Sequence, residues 1–222
     1  MKKRIWLQAS ALALAILLIL AVWGCSSGQQ AKPTGIERPE TNTVSTPHAK
    51  ASNSPMPAAI KKPNTIKAAG TIEVAFSPNG GGTGIIVKAI GEAKRSIRVQ
   101  AYSFTSTDIA KALVEAGKRG VEVRIVLDKS QETEKYSSAT FFVNAGLPVR
   151  IDSDFAIAHS KVMIIDEENV VTGSFNFTRA AEDKNGENVL VIRGDKELAE
   201  LYLQNWQWRW EASESYKRTS SQ

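Results

Sequence analysis

The chain contains very little cysteine and histidine. Its 222 residues include one cysteine, Cys25, and two histidines, His48 and His159. A single cysteine cannot form an internal disulfide and offers no thiolate cluster to a metal ion. A catalytic zinc ion is held by several histidine, cysteine or carboxylate ligands, and no such set is evident here. The composition therefore predicts chemistry without a metal or another cofactor.

Two other kinds of hydrolytic site are poorly represented. From Gly70 onward, no Gly-x-Ser-x-Gly motif marks the nucleophile of a serine hydrolase. Asp152 and Asp154 could belong to the carboxylate cluster of a two-metal nuclease, but their spacing fits a solvated strand end equally well. Neither class of enzyme is favoured.

Long apolar runs are confined to the N-terminus. Residues 2–4 are basic, residues 5–23 are almost wholly apolar, and Cys25 follows directly after Gly24. This is the order of a secretory signal, and the cysteine resembles the lipid-accepting residue of a bacterial lipobox. Plain secretion after cleavage and an uncleaved membrane helix, near the lower limit of spanning length, are the alternatives. We expect residues 1–25 to direct export to the periplasm or cell envelope, with a membrane anchor.

Residues 26–69 have a different composition. Prolines recur there among serine, threonine, alanine, asparagine and lysine, without apolar periodicity. Such a segment buries too little apolar surface to offset the entropy of ordering it, so we expect a disordered tether. Residues 70–222 then form one domain of ordinary size.

The basic charge of the protein lies outside this domain. The whole chain carries a formal net charge of +5. From Gly70 onward, 19 lysines and arginines stand against 21 aspartates and glutamates, a net charge of −2. The high isoelectric point is therefore no evidence for a nucleic-acid-binding domain. Any positive charge that meets a phosphate must be local to a cleft.

Strand and helix patterns alternate along the domain. Helical periodicity and capping residues predict helices at 84–94, 107–119, 132–145 and 196–212. Alternating or continuous apolar runs predict strands at 71–76, 96–104, 121–127, 147–151, 160–165, 170–173 and 188–193. The short turn at 166–169 indicates an antiparallel pair. We therefore predict an α/β fold, in which helices flank both faces of a mixed central β-sheet.

Polar residues suited to phosphate chemistry are concentrated between His159 and Asn176. Residues two apart on a strand share a face, so His159 and Lys161 project together. An imidazole can attack phosphorus while an ammonium group binds the non-bridging oxygens. The turn at Gly173-Ser174 offers backbone N–H groups and a hydroxyl, and Asn176 offers an amide donor. Together these residues predict a phosphodiester site.

The order of these residues resembles the signature of the phospholipase D superfamily. His159-x-Lys161 is followed after four residues by Asp166, and after six more by Gly173-Ser174-x-Asn176. Further segments resemble the small bacterial nuclease branch of that superfamily: 101–106, 119–121, 126–128, 145–149, 172–178 and 185–188.

The resemblance implies a phospholipase D-like fold and a role for each matching residue. His159 would be the nucleophile that forms a phosphohistidine intermediate. Glu187 would hydrogen-bond and orient a catalytic imidazole, and Asp166, grouped with the catalytic residues, would be mainly a structural or electrostatic support. The substrate phosphate would be bound by Lys161, Ser174 and Asn176.

The histidine count predicts a homodimer. The reaction needs one imidazole to attack and a second, protonated imidazole to donate to the leaving oxygen. His48 lies in the predicted tether and so has no structured setting, although Lys50 stands two residues beyond it. The second imidazole is then His159 of another subunit, with the site on a two-fold axis.

These observations predict a metal-independent phosphodiesterase, in particular a nonspecific endonuclease for DNA or RNA. Phosphate contacts position a nucleic acid without reading its bases. A phospholipid hydrolase or transferase is the alternative, which a lipid anchor would suit, although no extra hydrophobic segment for an acyl groove is visible. A third hypothesis is an anchored binding module without activity, against which the intact motif argues. Trp206, Trp208 and Trp210 could stack on bases, but we expect them to pack on the core or on a partner subunit.

Overall fold

The computed structural model describes residues 55–217. Eight strands occur in this part of the chain: β1 (Thr71–Phe76), β2 (Ser96–Ala101), β3 (Glu122–Asp128), β4 (Val149–Asp152), β5 (Lys161–Ile165), β6 (Asn169–Gly173), β7 (Asn188–Arg193) and β8 (Glu214–Ser215). They are accompanied by five α-helices: α1 (Gly82–Glu92), α2 (Thr107–Lys118), α3 (Ala139–Asn144), α4 (Arg179–Asp183) and α5 (Lys196–Ala212).

All eight strands join one sheet in the order β1-β7-β6-β5-β2-β3-β4-β8. β2, β3 and β4 are parallel neighbours, whereas the other neighbouring pairs are antiparallel. The first three helices contribute to the large core on one face, and α5 packs on the other. The predicted mixed sheet with helices on both faces is confirmed.

Helix α5 is held against the sheet by its tryptophans. Its first residue follows Asp195, whose carboxylate accepts the Leu198 N–H at 3.0 Å and so caps the helix. Trp206 is fully buried and donates its indole N–H to the Val99 carbonyl at 2.8 Å. The Trp210 ring stacks on Trp206, with 5.1 Å between the ring centroids. The expected packing role is thus confirmed for these two tryptophans.

Helix α5 leaves part of its face of the sheet uncovered. On β1, Ala75 joins the core under α1 and α2, so Ile72, Val74 and Phe76 point to the α5 face. These three side chains are each more than half exposed, and Phe76 reaches 66%. Because β1 is an edge strand and α5 packs on β6, β5, β2 and β4, an apolar stripe is left open.

The predicted helix at 132–145 is much shorter in the structure. Residues Lys129–Glu132 form a 3-10 turn, and α3 begins only at Ala139. The buried Gln131 side chain accepts the Phe104 N–H at 3.0 Å, which ties the intervening loop to the end of β2. A tertiary hydrogen bond therefore replaces the first helical turns. The sequence patterns also missed α4 and β8.

Residues 55–69 had been assigned to the tether. In the structure, Ala58–Ile60 form a 3-10 turn against α5, and the Ala69 N–H donates to Asp195 at 3.2 Å. Ordered structure therefore begins before Gly70. Within residues 55–217, no helix is long and apolar enough to cross a membrane. The predicted signal, Cys25 and His48 lie outside the described residues.

Candidate active site

The motif residues before and after the β5–β6 hairpin, His159 with Lys161 and Gly173 to Asn176, meet at one edge of the sheet. At this edge β2, β3, β4 and β6 end and β5 begins. Lys161, the first residue of β5, lies opposite Ala101, the last residue of β2. The register of β5 and β6 brings Gly173 level with Lys161. Strand pairing therefore joins residues that are separated by a hairpin.

His159 lies at the surface of this edge, against Tyr102. The centroids of the two rings are 4.6 Å apart, at an interplanar angle of 55°. The Lys161 Nζ lies 5.2 Å from the Tyr102 ring centroid and donates to the His159 carbonyl at 2.8 Å. The Tyr102 N–H donates to the Ser160 carbonyl, which fixes the backbone between them. The structure thus brings His159 and Lys161 together and adds Tyr102, which motif reasoning had not placed in the site.

Lys161 is a nearly buried cation. Burial lowers the pKa of its ammonium group below the ordinary value, and the negative charge of Glu187 offsets part of that shift. The weakly solvated ammonium interacts strongly with an anion, because little water competes for it. It is therefore well suited to bind a phosphate oxygen.

The turn at Gly173 differs from the expectation in one respect. The Ser174 and Phe175 N–H groups both donate to the Asn188 carbonyl, at 3.1 and 3.2 Å, so the predicted backbone donors are already used. Gly173 has φ 148°, and a Cβ there would lie 2.3 Å from the Asn188 oxygen, so glycine permits this close approach. The Ser174 hydroxyl accepts from Asn188, which leaves its own proton to donate to a phosphate oxygen.

Asn176 carries an unpaired buried atom. Its Oδ1 has no hydrogen-bond partner among the residues that the structure describes. Leaving such an acceptor unpaired costs about 1–3 kcal/mol, so it calls for a donor, whereas the NH₂ group of the same amide is the part that can donate to a phosphate oxygen. Asn176 precedes Phe177, which forms a parallel bridge with Phe104 beyond the end of β2. The amide therefore lies on the same edge of the sheet as Tyr102.

Glu187 lies at the same edge, but its carboxylate accepts no hydrogen bond from an imidazole among the described residues. Its backbone exchanges two hydrogen bonds with Ser77, and its carboxylate accepts from Asn185 at 3.1 Å. Its charge acts on Lys161. The expected hydrogen bond, in which a catalytic imidazole N–H donates to the Glu187 carboxylate, stays a prediction.

Two buried carboxylates, at the ends of β3 and β4, support the loop that carries His159 and helix α5, respectively. Asp128 accepts the Ser130 N–H at 2.9 Å and the Ala158 N–H, next to His159, at 2.7 Å. Asp152 forms a buried ion pair with Arg209 of α5. Sequence reasoning missed this support, although an aspartate at the end of each of two adjacent buried strands was a visible signal.

Asp166 lies apart from the His159 group. It follows β5 at the end opposite Lys161, five residues or about 16 Å along the strand. Its carboxylate accepts from the backbone N–H groups of Lys94, Arg95 and Ser96. Burial raises its pKa, but these donors and the Arg95 charge lower it more, so the pKa lies below the ordinary value. The grouping of Asp166 with the catalytic residues is corrected: in this chain it supports a distant turn.

The described residues offer no obvious metal centre. Between residues 55 and 217, no group of three or more histidine, cysteine, aspartate or glutamate side chains could hold an ion. Asp152 forms an ion pair with Arg209, which does not fit the carboxylate cluster considered for Asp152 and Asp154.

Comparisons with known proteins agree with this architecture. A family profile described as "Cardiolipin synthase, PLD-like domain" matches residues 86–210, more than half of the chain. The chain therefore belongs to the phospholipase D-like family. The chain shares the fold of this family and the general reaction of its members: the protein is a phosphodiesterase, a hydrolase that acts on phosphodiester bonds.

Individual relatives differ in the names they carry. The chain is similar to Nuc from Salmonella typhimurium, a phospholipase D family member, with 49% identity, a TM-score of 0.64, and coverage of 67% of this chain and 99% of that one. It is 47% identical to a phospholipase D of Rickettsia conorii over 61% of this chain and 67% of the relative. A mitochondrial cardiolipin hydrolase of Chlamydomonas reinhardtii is 36% identical over 52% of each chain.

Proposed function

We propose that the protein is a metal-independent endonuclease that cleaves DNA or RNA through a phosphohistidine intermediate. The observation that carries this proposal is the exposed His159 imidazole beside the buried Lys161 ammonium, at an open edge of the sheet. An exposed imidazole at the ends of the strands can be reached by a polymer as large as a nucleic acid.

The reaction proceeds in two displacements. The neutral His159 imidazole attacks phosphorus, a P–N bond forms, and the P–O bond to the leaving nucleoside breaks while a second imidazolium donates its proton to that oxygen. Water then attacks phosphorus and gives its proton to the second imidazole, and the P–N bond breaks. Lys161, the Ser174 hydroxyl and the Asn176 amide bind the non-bridging oxygens throughout.

The second imidazole comes from a second copy of the chain. His159 is the sole histidine among residues 55–217. The uncovered stripe of Ile72, Val74 and Phe76 ends beside Asn188, the neighbour of Glu187, and so leads to the active-site edge. A two-fold axis through this region would cover the apolar stripe and bring two copies of His159 together.

Mixed dimers test the shared site. His159→Asn changes an exposed polar side chain and should fold, yet it should be inactive. If equal amounts of the two chains assemble at random during co-expression, about one quarter of the dimers carry two intact histidines. Activity per chain should then fall to about one quarter, whereas independent sites would leave about one half. A linear dependence on the wild-type fraction, with heterodimers demonstrated, would falsify the shared site.

The apolar stripe can be tested separately. Val74→Arg should produce a monomer with its own His159 intact but with little activity, as measured by light scattering and nuclease assay. Thr71→Arg, an exposed position on the opposite face of the same strand, is the matched control and should remain dimeric and active. A fully active Val74→Arg monomer would contradict the proposal.

Phospholipid hydrolysis is the second candidate, because the Rickettsia relative is named phospholipase D and the Chlamydomonas relative cardiolipin hydrolase. Phe155 and Ile157 are also exposed on the loop that leads to His159, where they could enter a lipid surface. Parallel assays on plasmid DNA, RNA and vesicles of phosphatidylcholine or cardiolipin decide between the two. Release of a headgroup without cleavage of any nucleic acid would favour the lipid substrate.

We also propose that the protein is exported and anchored through a lipid on Cys25. This proposal is based on the order of basic, apolar and cysteine residues at the N-terminus. The active domain would then work at the cell envelope, away from cytoplasmic nucleic acid.

A further inference from the structure

An aromatic cavity lies next to the active-site edge. It has a volume of about 210 Å³ and is lined by Tyr136 and Phe141, together with Thr105, Thr107 and Lys111. Tyr136 is 70% exposed and Phe141 is 44% exposed. Large aromatic side chains exposed side by side in a concave site mark a surface that binds something.

The cavity is fixed to the catalytic edge by backbone hydrogen bonds. The Thr105 and Ser106 N–H groups both donate to the Phe177 carbonyl, one residue beyond Asn176. The Ser138 N–H donates to the Phe104 carbonyl, which holds the loop of Tyr136 against the same segment. Thr105 is three residues from Tyr102, so at most about 11 Å of chain separates the cavity wall from the ring that contacts His159.

The chemistry of the cavity suits a planar, neutral or electron-rich ring. The Lys135 ammonium lies 5.3 Å from the Tyr136 ring centroid, while most of the ring remains open to a ligand. Lys111 adds a second positive charge, and none of the described residues that line the cavity is acidic. The Thr105 and Thr107 hydroxyls can donate to or accept from the edge of a ring.

We infer that this cavity binds the nucleobase adjacent to the phosphate being cleaved. This inference rests on the proposed nuclease function and deepens it. The base stacks on Tyr136 and Phe141, while the flanking cations attract the polymer backbone. Every base offers a π-face, so such a site strengthens binding without imposing a sequence preference. The cavity, of about 210 Å³, is bordered by the Thr105 and Thr107 hydroxyls, which favours a base over a lipid tail.

An oligonucleotide with one abasic position tests the inference directly. The wild-type protein should cleave the bond next to the abasic nucleotide about 5- to 150-fold more slowly than the same bond in the intact strand. In Tyr136→Ala the difference between the two strands should shrink, because one of the two stacking rings is gone from the protein, and in Tyr136→Ala/Phe141→Ala it should disappear. Tyr136→Phe retains the ring and should restore the difference, while thermal melting checks that each variant is folded.

The possible outcomes separate this inference from the proposed function. Equal cleavage of abasic and intact bonds by the wild-type protein would overturn the base subsite and leave the nuclease proposal standing. A difference of undiminished size in Tyr136→Ala would overturn the role of Tyr136 in the same way. If the wild-type protein cleaves no nucleic acid but hydrolyses phosphatidylcholine or cardiolipin, both proposals are wrong.

Discussion

Replacing Asp128 with asparagine should impair the enzyme by loosening the loop that carries His159. The carboxylate is 2% exposed and uses one oxygen for the Ser130 N–H and the other for the Ala158 N–H. An asparagine can accept only one of these bonds, and its NH₂ group must then face the other N–H. Hydrogen bonds to a charged group contribute about 1.5–3 kcal/mol each, so we expect the free energy of unfolding to fall by about 2–4 kcal/mol.

The same change should also reduce turnover. Ala158 directly precedes His159, and a misplacement of about 1 Å in a reacting group can cost a hundredfold in rate. We therefore expect kcat of the folded Asp128→Asn protein to fall about ten- to a hundredfold, with a smaller effect on KM. Cleavage of a chromogenic phosphodiester and urea unfolding provide the two measurements.

Asp166→Asn is the matched control. This carboxylate also accepts several backbone N–H groups, so its loss should destabilise the fold by a similar amount. Because Asp166 lies about 16 Å from Lys161 along β5, kcat of the folded variant should be unchanged. If Asp128→Asn keeps full kcat, or if Asp166→Asn loses it while folded, the assignment of the two aspartates is refuted.

Further predictions concern pH, metals and the anchor. The pKa of Asp166 is lowered in the folded state, so the ionised carboxylate stabilises the fold fully above its ordinary pKa, and this contribution is lost as the pH falls through the folded pKa. The loss of unfolding free energy in Asp166→Asn, measured by urea unfolding, should therefore shrink at strongly acidic pH. The rate should be bell-shaped in pH because one imidazole must be neutral and the other protonated, and the lowered pKa of Lys161 should weaken phosphate binding at alkaline pH, which a rising KM would reveal. Cleavage should persist in EDTA. If EDTA abolishes the activity and Mg²⁺ or Zn²⁺ restores it, the mechanism is wrong. Cys25→Ala should abolish labelling by fatty acid and membrane partitioning while the domain stays active, and an unlabelled wild type would favour secretion or an uncleaved anchor.

Local patterns were sufficient to predict much of the fold. Apolar alternation predicted β7 at its observed bounds, and helical periodicity predicted α5 at the bounds it has in the structure. The helix predicted at 132–145 exists only over Ala139–Asn144, and the buried Gln131 side chain, just before the predicted helix, pairs instead with the Phe104 N–H beyond β2. Periodicity describes neighbours along the chain and carries no information about such a tertiary partner.

The chemistry of the site follows from residue types and spacing that are visible in the sequence. His159 and Lys161 are two residues apart in the sequence, and the order of the motif identifies the superfamily. The environment of these residues depends on strands that are distant in sequence. Pairing of β2 with β5 places Tyr102 beside His159, the end of β3 brings Asp128 to Ala158, and strand length separates Asp166 from the catalytic edge. These contacts are decided by the packing of the whole sheet, because alternation sets which face a side chain occupies but not which strand becomes its neighbour.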